Sequence, residues 1–285
     1  MAENPCTPVT RTADDGARVE GCAHGGHITG WWPGGARESR LWMSPSSRCG
    51  RGTAIRGGIP VVFPQFGVLG ALPKHGFARD RAWHRREPAG SGGASLEFTT
   101  TIEGEPGWPH QAMLGLSATC HGNRLTVRLT VTNTGSTPFT FTAALHTYLR
   151  VSSTHDATVE GLSGRQAVDA MAGGRATTLP PGPLAAVGPT DLMVRDAPGS
   201  VVLRDPSTTD LTLAATGFRD YVVWNPGPGH GLADVRPGDE NGFVCVEPAA
   251  LDPVGLGPRQ QWVGALSLTA TADQVEIAPQ RADPP

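Results

Sequence analysis

The chain has 285 residues, with 38 glycines, 26 prolines and a formal net charge of −3. That length fits one large all-β domain or two ordinary ones, and the turn-rich composition excludes a coiled coil or a disordered chain. No apolar run reaches the ~18 residues of a membrane-spanning helix, and an acidic chain without a nucleic-acid motif argues against a nucleic-acid partner.

The chain opens MAENPCTPVTRTADDG, which has no apolar core and no secretory signature. Residues 1–15 and 276–285 are expected to be loosely ordered ends of one domain spanning 1–285. The cysteines, Cys6, Cys22, Cys49, Cys120 and Cys245, are scattered, odd in number and without CxxC spacing. Neither a disulfide framework nor a zinc site is expected from them, and a reducing cytoplasm is the expected compartment. His24-Gly25-Gly26-His27 lacks acidic or cysteine partners at useful spacing, and reads as a turn rather than a metal site.

The stretch Ala54–Arg79, AIRGGIPVVFPQFGVLGALPKHGFAR, is a path of bends: Gly and Pro interrupt it throughout, so no long helix fits. Cations hang on those bends, among them Lys74, the only lysine of the chain. From Arg48 to Arg86 there are seven arginines and Lys74 against Asp80 alone, so eight cations less one acid leave +7. Composition alone is met by a solvated basic loop. The functional reading is an anion site, and a small phosphorylated molecule fits so compact a patch better than nucleic acid does.

Beyond it, alternation with a period of two dominates. Leu125, Val127, Leu129 and Val131 face one way and Thr126, Arg128, Thr130 and Thr132 the other. Leu114, Leu116, Ala118 and Cys120 repeat the pattern, and His121-Gly122-Asn123 turns the two strands into a hairpin. Similar runs occur at 94–102, 201–204, 211–215, 221–224, 243–247 and 262–271, and 170–189 is a Pro/Gly-rich excursion with room for an edge strand. Helical periodicity is absent, so the architecture is all-β, an antiparallel sandwich or barrel.

Two strands carry candidate chemistry. In 138–151, Phe139, Phe141, Ala143 and Leu145 point into a core, while Thr140, Thr142, Ala144, His146 and Tyr148 share the other face. His146 is either a satisfied structural histidine or an acid–base group on a cleft floor. In 243–248, Phe243, Cys245 and Glu247 share a face, which makes Glu247 either a solvated strand-end carboxylate or a partly buried base. No GxSxG nucleophile elbow occurs, and Gly227–Gly231 is no dinucleotide fingerprint.

Taken together, AIRGGIPVVFPQFG, LPKHGFAR, ALHTYLRV, VVWNPG and FVCVEPAA, in this order from about residue 15 to residue 272, resemble the glucose-6-phosphate 1-epimerases of the wider aldose 1-epimerase group. The resemblance implies a galactose-mutarotase-like supersandwich of antiparallel strands with a sugar site on one concave sheet. It implies no cofactor and no metal. Residue by residue it implies His146 as acid, Glu247 as base, Arg56 and Arg79 as ligand-holding arginines, His75 at the sugar and, from a weaker block, Asp191 on a substrate hydroxyl. Lys74 departs from the pattern, since similar sequences often have Gln there; it adds a point charge for phosphate or marks a different acidic ligand.

The expected reaction opens and recloses a hemiacetal ring, with protonated His146 giving a proton to the ring oxygen and ionised Glu247 taking one from the C1 hydroxyl, on opposite sides of the C1–O5 unit. The expected partner is a small sugar phosphate, and the expected state a monomer or weak homodimer. Three rivals stand beside this: a non-catalytic sugar-phosphate binder, a mutarotase of non-phosphorylated aldoses, and an enzyme that reuses the fold for other chemistry.

Overall fold

The computed structural model describes residues 4–88 and 93–271. The expected loose end 276–285 lies outside the described residues. The described strands form three sheets whose ladders are all antiparallel. The only helical elements among them are short 3-10 turns at Ala78–Asp80 and Asp239–Gly242.

The larger sheet has nine strands. Its centre is the meander Ala94–Glu105, Trp108–His121 and Arg124–Asn133, continued by Gln261–Ala270, Leu211–Thr216 and Ser200–Arg204. The hairpin closes at Gly122-Asn123, with His121 opposite Arg124, and Gly122 takes the left-handed backbone (φ 54°) that this turn demands. The eight-stranded sheet runs from Arg175–Thr178 at one edge through Gln166–Asp169, Thr190–Val194, Asp220–Asn225, Phe243–Leu256 and Phe139–Leu145 to Val61–Val62; Tyr148–Arg150 also pairs with Phe243–Leu256. The excursion 170–189 supplies edge strands to both large sheets, Arg175–Thr178 and Leu184–Ala185.

The core lies between these sheets. Leu125, Val127, Leu129 and Val131 meet Phe139, Phe141, Ala143, Leu145, Val244 and Val246 in one continuous cluster, as burial of one face of each alternating strand requires. The other face of the eight-stranded sheet carries two smaller apolar clusters, around Val62, Ala144, Val222 and Ala249 and around Tyr148, Phe243 and Cys245, and there the functional groups collect.

Two expectations fail at the N-terminal end. Val9–Thr12 is no loose end: it pairs with Arg18–Cys22, which pairs with His27–Trp32, in a three-stranded sheet. Cys6 and Cys49 form a disulfide, with Cα atoms 5.9 Å apart. Sequence spacing hides the pairing because it joins residues 43 apart; the link follows from the backbone N–H of His24 donating to the Pro5 carbonyl at 2.8 Å, which folds the first residues back onto the body. His24 and His27 are buried structural histidines, bonded at Nε2 to the carbonyls of Thr53 (2.7 Å) and Gly57 (2.8 Å).

Candidate active site

Strand register assembles the floor of the site. Residues directly opposite in an antiparallel ladder project to the same side. Asp191 opposes Trp224, Trp224 opposes Cys245, and Cys245 opposes Tyr148, giving one row across four strands. Two residues along, Met193, Val222 and Glu247 form the next row. The strand expected over 138–151 breaks at His146-Thr147: Leu145 ends one segment, Tyr148 begins the next, and the backbone N–H of His146 donates to the Pro60 carbonyl at 3.0 Å. The register on Phe243–Leu256 is the same on both sides of this gap, Ala144 opposite Ala249 and Tyr148 opposite Cys245, so His146 falls beside Glu247 on the pocket face.

His146 Nδ1 lies 3.2 Å from Glu247 Oε1, and the side chains are 7% and 1% exposed. Glu247 is therefore neither solvated nor at a strand end; its strand continues to Leu256. The pair is close but not aligned as a hydrogen bond: His146 Nδ1 and Glu247 Oε2 are both buried without a hydrogen-bond partner. Burial pushes the Glu247 carboxyl up, with Asp191 adding to it and Arg79 and Lys74 opposing it. Burial likewise pushes His146 down, reinforced by His75, Arg79, Arg56 and Lys74. Each group is driven toward its neutral form, so the pair holds one proton between its two members. The expected protonated histidine and ionised carboxylate carry the same single proton, placed on the other member of the pair. The Tyr148 ring stacks flat on His146 at 4.8 Å and 6°, fixing the imidazole plane.

The walls carry the cations. Arg56 Nε donates to Asp234 Oδ2 at 3.0 Å and Nη1 to the Tyr148 hydroxyl at 2.8 Å. Burial opposes its charge, but Tyr148 and Asp234 more than offset this and hold the guanidinium charged. Lys74 and His75 sit on the segment between Phe63 and Gly76, two residues joined by a parallel bridge. Gln65 clasps this segment, donating to the carbonyls of Gly67 (3.1 Å) and Leu72 (3.0 Å) and accepting from the Leu72 N–H (2.9 Å). His75 adopts φ 68°, uncommon for a residue with a Cβ. Its Nδ1 accepts from the Gly67 N–H at 3.3 Å, so its proton sits on Nε2. Burial, then Arg79, Lys74 and Arg56, push its pKa down to about 3, keeping the ring neutral. Arg79, on the 3-10 turn, lies 3.8 Å from Asp80 and has a buried Nε without a partner; burial lowers its pKa. Burial raises the Asp191 carboxyl, opposed by Lys74.

All seven residues singled out in the sequence, Arg56, Lys74, His75, Arg79, His146, Asp191 and Glu247, line one cavity of about 390 Å³, large enough for a small ligand. Sequence reasoning missed Trp224, which lines the cavity, Asp234, which holds Arg56, and Gln65, which shapes the loop. Trp224 had a signal in its alternation with Val222; the other two act from loops, where no period exists. His146, Cys245 and Glu247 offer ligand atoms within 4.8 Å of one another, but the three cations around them oppose a metal ion.

An all-antiparallel β-sandwich with a histidine and a glutamate side by side in one cavity matches the fold and site expected of an aldose mutarotase. The family model "Aldose 1-epimerase" matches residues 8–268, and the chain belongs to this family of enzymes. It is 31% identical over 262 residues to a Cenchrus ciliaris protein named "Putative glucose-6-phosphate 1-epimerase", covering 87% of this chain and 79% of that one. A protein of the same name from Escherichia coli is 31% identical over 239 residues, covering 79% and 77%. The crystal structure of a protein from Salmonella typhimurium titled a "putative mutarotase" superposes with a TM-score of 0.80 at 26% identity, covering 90% of this chain and 87% of that one. The all-β mutarotase fold and the aldose epimerase class expected from the sequence hold. Among the described residues no helix is long and apolar enough to cross a membrane.

Proposed function

We propose that this aldose epimerase interconverts the α and β anomers of a hexose 6-phosphate, glucose 6-phosphate foremost, with His146 and Glu247 moving the protons. The observation that supports it best is the placement of His146 and Glu247, with Nδ1 3.2 Å from Oε1, in one cavity with Arg56, Lys74 and Arg79. The two groups lie side by side, not opposed across a gap, which suits two oxygens bonded to the same carbon.

In ring opening, the proton that the pair shares passes from Glu247 to His146 as the sugar binds; Glu247 then removes the C1 hydroxyl proton, the C1–O1 bond becomes a carbonyl, the C1–O5 bond breaks, and O5 takes the proton of His146. Both groups are then neutral, the state that burial favours while the aldehyde is open. Rotation about C1–C2 presents the other carbonyl face. O5 attacks it, its proton returns to His146, and Glu247 protonates O1, which regenerates both groups. Arg56, Arg79 and Lys74 hold the phosphate, the arginines through charge-assisted paired donors. His75 and Asp191 hold sugar hydroxyls. The names of the relatives support the phosphorylated substrate, as do the three cations, Arg56, Lys74 and Arg79, that line the cavity.

Exchange NMR on glucose 6-phosphate and glucose, each with catalytic amounts of the chain, tests this reading. Faster anomer exchange for the phosphate ester is expected. Equal acceleration of both sugars removes the phosphate assignment, and tight binding without acceleration makes the chain a sensor.

A further inference from the structure

We propose that Cys6, His24 and Cys49 form a zinc site when the disulfide between the two cysteines is reduced. This goes beyond the sugar reaction and is independent of it. The ligand atoms of the three residues lie within 4.8 Å of one another, and no step of the epimerisation uses any of them. Two thiolates and one imidazole with a water in the fourth position make a tetrahedral zinc environment.

His24 is prepared for the role. It is buried, and its Nε2 donates to the Thr53 carbonyl at 2.7 Å, which leaves the lone pair on Nδ1. Metal-bound histidines are oriented by this kind of carbonyl contact on the other ring nitrogen. The backbone on either side is also fixed: the N–H of His24 donates to Pro5 O at 2.8 Å and that of Gly25 to Arg81 O at 2.7 Å. The first of these bonds keeps Cys6 beside the imidazole whether or not the sulfurs are joined. Cys6 is half-buried and Cys49 exposed, so a reductant and a metal-bound water both have access. The exposed neighbours Arg48 and Arg51 favour thiolate over thiol at Cys49.

The chemistry balances with a dithiol as reductant. The dithiol gives two electrons and two protons, leaves as its own disulfide, and frees two cysteine thiols. Zinc then displaces two thiol protons to solvent and forms two Zn–S bonds, and the Nδ1 lone pair completes the protein ligands. The paired thiolates cancel the charge of the ion. The loop from Cys49 leads to Arg56, whose N–H is held by Ser47 Oγ at 2.8 Å, so disulfide and metal pin the same stretch of chain in oxidising and reducing surroundings.

The test is a cobalt(II) titration of the full chain, oxidised and after reduction, followed by displacement with zinc. Reduced protein is expected to develop thiolate-to-cobalt charge-transfer and tetrahedral d–d bands that saturate at one cobalt per chain. Oxidised protein should show neither, Cys49→Ser should weaken the charge-transfer band, and Cys6→Ser/Cys49→Ser should abolish it. His24→Gln should weaken binding about 10–100-fold or more. If that variant does not fold, the His24 imidazole nitrogen resonances of reduced wild type, with and without zinc, report ligation directly. Absence of the bands in reduced wild type overturns the proposal. So do bands that survive the double variant Cys6→Ser/Cys49→Ser, which would come from Cys22, Cys120 or Cys245, and so does an imidazole that zinc leaves unshifted.

Discussion

At the scale of single residues, the His146–Glu247 pair takes its properties from burial. An ordinary histidine and glutamate would hold the one-proton state of the pair only between about pH 4.5 and 6.5. Here His146 is lowered, so the second proton binds only at more acidic pH, and Glu247 is raised, so the last proton leaves only at more alkaline pH. The one-proton window therefore widens in both directions, and kcat for anomerisation is expected to be flat across neutral pH. An optimum confined to pH 4.5–6.5 contradicts this. Arg56 is a cation held by two partners, and its remaining donors are free for an anion. Arg56→Ala should raise KM for glucose 6-phosphate about 10–100-fold, the loss of a charge-assisted hydrogen bond, and leave KM for glucose nearly unchanged; steady-state kinetics on both sugars check it. These side chains were legible because each lies in a short block whose order along the chain points to one family. Their protonation was not, because it depends on a burial that alternation alone does not show.

At the scale of elements, the strands were readable and the loops were not. Alternation placed Leu125–Val131 and Phe139–Leu145 on the core side correctly, since one face of each strand must leave water. The same pattern ran straight through His146 and holds there: the ladder is unassigned only at His146-Thr147, and the register on Phe243–Leu256 is the same on both sides, from Ala144 opposite Ala249 to Tyr148 opposite Cys245. The segment from Phe63 to Gly76 has no period at all. Its path depends on the Gln65 clasp and on Gly76, which sits at φ 68° with the Phe63 carbonyl oxygen 2.2 Å from where a Cβ would stand. Gly76→Ala should therefore cost about 1–3 kcal/mol in urea unfolding and weaken sugar-phosphate binding by shifting Lys74 and His75. A variant of unchanged stability and KM shows that the loop yields freely.

At the scale of the whole molecule, one disulfide ties the N-terminal segment to the loop that leads to Arg56. It closes a long loop, 43 residues in sequence, and its reduction without metal should lower the unfolding free energy by about 2–4 kcal/mol, measured by urea titration with and without reductant. No change would mean that the three-stranded sheet already holds the segment. Cysteine spacing could not reveal this link, because only the folded chain brings Cys6 to Cys49. The two large sheets, by contrast, follow from hydrophobic alternation, and the site follows from their register, which sets Asp191, Trp224, Cys245 and Glu247 on one face. The account rests on the last of these residues and its neighbour His146. Anomer exchange of glucose 6-phosphate, followed by NMR for wild type, Glu247→Gln and His146→Ala with folding verified by circular dichroism, tests it most directly. Each variant should lose about 10²–10⁴ in kcat with its fold intact, whereas a folded Glu247→Gln that keeps wild-type kcat contradicts the account.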